Sequence, residues 1–98
     1  MENIYNYEPR FDRRKSFYGK AQEIERENGD RILLSYWTPI LKITADDKLY
    51  YTSDYKYSMT TLRHAKDFIL NYKKNYLNSD RYTNAQFIEI NGSFTEVL

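Results

Sequence analysis

The chain has 98 residues, eleven tyrosines, one histidine, no cysteine and a formal net charge of +1. That length suits one small domain with a modest core, and the missing cysteine excludes a disulfide framework, a thiolate metal site and a cysteine nucleophile. A charge near zero argues against a dedicated nucleic-acid binder, and apolar runs such as Ile32-Leu33-Leu34 and Phe68-Ile69-Leu70 are far too short to span a bilayer.

The N-terminal residues, Met1 to Tyr7, lack the basic-then-apolar layout of a signal peptide. Over 1–17 no period is sustained. Tyr5, Tyr7, Phe11 and Phe17 are interspersed with Arg10, Arg13, Arg14 and Lys15, and Glu8-Pro9 forces an extended or turn conformation at Glu8. This stretch is expected to be a basic, aromatic arm that lies against the domain from about Pro9. Residues 1–8 are then dispensable, whereas Phe11 and Phe17 are core.

Gly19 permits a bend, and residues 20–27 read as a strand with much of its surface wet. Asn28-Gly29 is a hairpin signal, since both residues tolerate positive φ. The return strand is expected to run over 31–43, interrupted at Thr38-Pro39. Its alternating sets are Ile32, Leu34, Tyr36, Thr38, Ile40, Lys42 and Leu33, Ser35, Trp37, Pro39, Leu41, Ile43. Both are largely apolar, unlike a strand with one wet face. A single helix covers one face, so the side bearing Trp37, Leu41 and Ile43 would close a homodimer or meet a larger partner, with Trp37 as its hot spot. A kink at Thr38-Pro39 that exchanges the faces is the alternative. Asp46-Asp47 makes the next turn, and 48–53 is a third, antiparallel strand.

The strongest periodicity follows. Leu62, Ala65, Ile69, Tyr72 and Tyr76 recur at three- and four-residue spacing and predict a helix over 59–77, flanked by Phe68 and Leu77. Ser58 is the favoured N-cap, with Thr60 as the alternative, and Asn78-Ser79-Asp80 supplies stop chemistry. His64 falls beside Phe68, where it would bond a backbone carbonyl or a strand hydroxyl while half-buried. Arg63, Asp67 and Lys74 share the outward face with Leu70. Gln86–Ile90 reads equally as a strand or a short helix, and Phe94, Val97 and Leu98 are expected to pack. The fold class is α+β: a single domain over 1–98, with a three-stranded antiparallel meander, one helix on a face and room for a C-terminal strand.

Few residues carry chemistry. A metal site would have to use Asp46, Asp47 and Asp54, which a polar turn explains more simply. No phosphate-cradling glycine motif is present, and no cofactor is implied. His64 has Ser35, Ser58 and Thr61 as hydroxyl partners and Asp67 to orient it, but there is no nucleophile elbow and no second base. No catalytic residue is assigned.

Binding is the better-supported class. Tyrosine is enriched at interfaces, although an AT-rich genome also raises it. Glu23, Glu25, Glu27 and Asp30 make an acidic strip able to imitate phosphate spacing in another protein's nucleic-acid channel. The candidate protein-binding residues are Trp37, Tyr36, Glu23, Glu25, Glu27, Asp30 and Leu70. The alternative is single-stranded DNA or RNA held by Arg10, Arg13, Arg14, Lys15, Phe17 and Lys20, charge for phosphates and rings for bases.

Three blocks taken together resemble a known family: Tyr7–Asp12 with Ser16–Ala21, Leu34–Pro39, and Tyr57–His64 with Phe68-Ile69. The chain is similar, over about residues 7–72, to small proteins of bacteriophages and mobile elements in low-GC Gram-positive bacteria. They carry a YGKA-like start, an SYNT-like strand and a TT-x-RH helix start. Trp37 stands where the resemblance leads one to expect Asn. It brings no reaction, cofactor or catalytic residue. It implies a phage-type accessory protein acting in the bacterial cytoplasm. With the absent chemistry, the expectation is a non-enzymatic protein that binds a host protein, in its sharpest form an anti-CRISPR-like inhibitor of a host defence nuclease.

Overall fold

The computed structural model describes residues 2–78 and 80–96. Its eight main elements are β1 (Asn3–Asn6), β2 (Ala21–Glu25), β3 (Arg31–Ser35), β4 (Thr38–Ile43), β5 (Leu49–Tyr51), α1 (Met59–Tyr72), α2 (Asn84–Asn91) and β6 (Ser93–Phe94). The class is α+β. The sheet is larger than the predicted meander: six strands in the order β1-β2-β3-β4-β5-β6, antiparallel except for the parallel pair β5–β6.

The expected long strand over 31–43 is two strands. Ser35 pairs with Thr38, so Tyr36 and Trp37 alone make the turn between β3 and β4, with φ of 51° and 67°. Positive φ at both central residues is the geometry that matches the twist of a two-residue hairpin. Pro39 is accommodated beside a register shift: Leu33 faces Leu41 while Leu34 faces Pro39, which turns both Ile40 and Leu41 into the core. Pairing places Leu33, Leu41, Ile43 and Leu49 on the helix side. The expected patch of Trp37, Leu41 and Ile43 on the open face therefore does not exist. The open face carries the row Ile4, Ile24, Ile32, Lys42 and Tyr50 instead.

The N-terminal arm is also corrected. Residues 3–6 pair with β2 as an edge strand. Tyr7 is buried, stacked on Phe17 and edge-on to Phe68, so the stretch before Pro9, expected to stand apart from the domain, contributes a ring to the core. Of the two phenylalanines expected in the core, Phe17 is there and Phe11 is 58 % exposed.

Ser58 caps α1, its Oγ accepting from the Thr61 amide at 3.1 Å. The helix stops at Tyr72 because Asp47 captures the chain beyond it. Its carboxylate accepts from the Lys74 and Asn75 amides at 2.8 and 3.0 Å and from Lys73 Nζ at 3.0 Å. Burial alone would raise that carboxyl, but these donors hold its pKa down at about 2. Residues 84–91 form a helix, closed by a capping box between Thr83 and Gln86. Phe87 and Ile88 complete the core against α1. The C-terminal strand follows it, and Phe94 there is largely exposed with its ring 6.1 Å from Tyr51. Ser79, Val97 and Leu98, given roles by the sequence, lie outside the described residues. No described helix is long and apolar enough to cross a membrane.

Candidate functional site

Helical spacing puts Ser58, Thr61 and His64 on one side of the first turns of α1, facing the end of β3. His64 is fully buried rather than half-buried. Its Nδ1 lies 2.9 Å from Ser35 Oγ, which is 3.0 Å from Thr61 Oγ1. Ser58 Oγ donates to the same threonine oxygen at 3.2 Å. The imidazole packs 4.4 Å from the Phe17 ring. Burial lowers the His64 pKa to about 4, with Arg14 adding to the effect and Asp12 and Asp67 opposing it, so the ring is neutral near pH 7.

Ser35 and His64 have the spacing of a nucleophile and its base, but among the described residues none orients the imidazole from its far side. His64 Nε2 has no hydrogen-bond partner among the described residues. Asp67, the residue expected to orient it, is buried and otherwise engaged. It accepts from the Tyr7 hydroxyl at 2.7 Å and from the amides of Arg10, Phe11 and Asp12 at 3.0, 2.7 and 2.7 Å. The solvated face expected for Asp67 is thus overturned. Burial and this carboxylate push the Tyr7 phenol far above its ordinary pKa.

Ser35 and Thr61 reach the floor of a cavity of about 230 Å³, walled by Tyr36, Ile40, Asp54 and Tyr57. The Tyr36 and Tyr57 rings are 6.1 Å apart, and Lys20 Nζ lies 5.5 Å over Tyr36. The Tyr36 amide donates to the Lys20 carbonyl at 2.7 Å, which brings the Tyr18-Gly19 bend beside the hairpin tip. Around this end Trp37 is 66 %, Tyr57 75 % and Tyr18 76 % exposed. Tyr18, Tyr36 and Trp37 all have positive φ, a region costing a side-chain-bearing residue about 1–2 kcal/mol. An Asn-Gly pair would make the same hairpin with less strain.

The acidic strip is not free charge. Glu23 is buried, accepts from the Tyr72 hydroxyl at 2.8 Å and pairs with Arg31 at 3.5 Å. Glu25 pairs with the same guanidinium at 3.0 Å, and burial together with Glu23 raises the Tyr72 pKa to about 12. Asp30 is taken up by the Asn28 side chain and the Ala45 amide. Glu27 is exposed at the β2–β3 turn, and Leu70 is half-buried against the core. Among the residues of the nucleic-acid alternative, Arg10, Arg13, Arg14 and Lys15 are exposed. Phe17 is buried and cannot stack on a base, and Lys20 belongs to the aromatic end. The predicted residues that do come together are Tyr36, Trp37 and Lys20. Tyr18, Tyr57 and the cavity were not foreseen. Asp46, Asp47 and Asp54 do not converge, and no metal-binding group was found among the described residues.

A model described as a family of unknown function, DUF8033, matches residues 5–87, from β1 into α2. The chain belongs to that family. The match takes in the Tyr36-Trp37 turn, the His64 cluster and the Asp67-bound loop, so all three lie within the stretch that defines the family. No curated protein and no solved structure matches the chain.

Proposed function

We propose that this chain is a non-enzymatic accessory protein that binds another protein through its aromatic end. The observation that supports this reading is the cluster of exposed aromatics at positive φ. Strained positions persist where something other than local stability favours them, and exposed Tyr and Trp are the side chains that anchor interfaces. The acidic strip and Leu70 are not part of this surface. Resemblance to phage and mobile-element proteins supports a host protein as the partner and the bacterial cytoplasm as the place. A defence nuclease, as for anti-CRISPR proteins, is the specific candidate.

The test compares wild-type protein with the double variant Tyr36→Asn, Trp37→Gly as bait in host lysate, with mass spectrometry of what is retained. Asn-Gly relieves the turn, so the variant should melt no lower than wild type while losing the partner. Retention of the same proteins by a folded variant refutes the aromatic end as the contact surface. Sedimentation at micromolar concentration separates a host partner from a second copy of the chain.

A further inference from the structure

Away from the aromatic end, the loop after Tyr7 crosses the middle of α1 and opens a groove of about 350 Å³ between that helix and the start of α2. The loop is pinned. The amides of Arg10, Phe11 and Asp12 all donate to the buried Asp67 carboxylate, and Asp12 Oδ1 accepts from the Arg14 amide at 2.9 Å. What the pinning presents is Phe11, more than half exposed, and Arg13, also exposed. Arg13, Arg63 and Lys66 line the groove with Phe11.

The charge balance is positive. Asp67 is saturated by its donors, and Asp12 is paired with Arg63 at 3.4 Å. Arg13 and Lys66 have no ion pair among the described residues. Arg10 and Arg14 add two more exposed cations on the same loop. Helix α2 starts on the groove at Asn84, so its positive pole adds to the field. An exposed ring on a pinned backbone beside cations without ion pairs, Lys66 Nζ lying 5.9 Å over the Phe87 ring, is an arrangement that takes a base on the ring and a phosphate on the charges, and the volume is in the range of ligand sites.

The geometry points to a second binding site: the groove between the 8–14 loop and the two helices holds single-stranded nucleic acid, with a base on Phe11 and the adjoining phosphates on Arg13 and Lys66. This shares Arg13 with the set expected from the sequence, Arg10, Arg13, Arg14, Lys15, Phe17 and Lys20, but places the base on Phe11 and adds Lys66 of α1, and it is independent of the aromatic end.

The test is fluorescence anisotropy with a labelled thymidine oligonucleotide at low salt, about 50 mM, and then over a salt series. Wild-type protein should bind with an affinity that falls as salt rises. Phe11→Ala, at an exposed position, should weaken binding about ten-fold, as loss of one stacked base does, and leave retention on heparin unchanged. Arg13→Gln with Lys66→Gln should weaken both and lower the salt slope by about 1.4. Trp37→Gly should change neither. No salt-dependent binding by folded wild-type protein overturns the proposal, as does binding as tight as wild type by either the Phe11 or the Arg13/Lys66 variant. Competition by thymidine monophosphate as effective as by the oligonucleotide overturns the strand in favour of a free nucleotide.

Discussion

Asp67→Asn tests the contact that joins the N-terminal loop to the helix layer. Asp67 is 2 % exposed and receives the Tyr7 hydroxyl and the amides of Arg10, Phe11 and Asp12. Asparagine matches its shape but has one acceptor oxygen, and its amide nitrogen would confront donors with another donor. Hydrogen bonds to a charged group contribute about 1.5–3 kcal/mol each, and a buried donor left unpaired costs about 1–3 kcal/mol. With relaxation of the exposed loop, a net loss of about 3–5 kcal/mol is expected, a large part of the stability of a domain this size. Urea unfolding followed by Trp37 fluorescence or circular dichroism measures it. Amide exchange adds a local readout: Phe11 and Asp12 should lose protection first, even where the variant is still folded. Tyr7→Phe, which removes one donor and leaves the carboxylate three, should cost less, about 1.5–3 kcal/mol. If Asp67→Asn costs less than Tyr7→Phe, or the loop amides exchange as in wild type, the carboxylate does not hold the loop.

Phe17→Ala should cost about 3–5 kcal/mol, as a buried ring does, whereas Phe11→Ala should stay within about 0.5 kcal/mol; thermal melts of the pair decide it. Deleting residues 1–6 removes an exposed edge strand and should leave a folded protein, while deletion through Glu8 also removes the buried Tyr7 ring and should lower the midpoint far more. His64 links stability to pH. Its pKa is lowered from 6.5 to about 4 in the fold, so the unfolded chain binds the extra proton between those values. Stability from a neutral His64 is therefore complete above about pH 6.5 and declines as pH falls toward 4, by up to about 3 kcal/mol. Carboxylates titrate in the lower part of that window, so the measurement is the difference in unfolding free energy between wild type and His64→Gln across it; a difference that does not change with pH sinks the assignment.

Helix α1 and the β2–β3 hairpin were legible where local chemistry and the global fold agree. Ser58 before a clean apolar stripe is the cap observed, and Asn28-Gly29 turns β2 into β3. Three features were not legible, each for a different reason. The end of α1 is set by Asp47, on a turn distant in the chain, so no residue at 73–77 announces it. The strand β1 pairs through backbone groups of an exposed edge, which leaves no apolar alternation to read. Asp67 was within reach: it is three residues from His64, and that spacing puts both on one side of a helix. Expecting His64 against the sheet and Asp67 in water was inconsistent. What stayed hidden was the partner, since amides 55 to 57 residues away carry no side-chain signal.

The miss at Tyr36-Trp37 is of another kind. Asp67 is a buried charge whose cost is met by its donors, so the sequence there obeys the physics once the contacts are known. The turn does not become consistent in that way. Its aromatics are at positive φ, Trp37 is mostly in solvent, and Tyr18 repeats the pattern at the neighbouring bend. No core packing offsets the strain at Trp37. Departures of this sort, where local preference is overridden without a structural gain, are expected at functional positions. Asn, a residue suited to φ of 67°, would sit at position 37 with less strain. Trp in place of Asn at such a position costs turn stability and adds exposed aromatic surface. If Trp37→Asn raises the melting temperature and removes the partner, that trade is what the turn exists to make; if it raises the melting temperature and the partner still binds, Trp37 is a tolerated defect and the contact surface must be sought at Tyr18 and Tyr57.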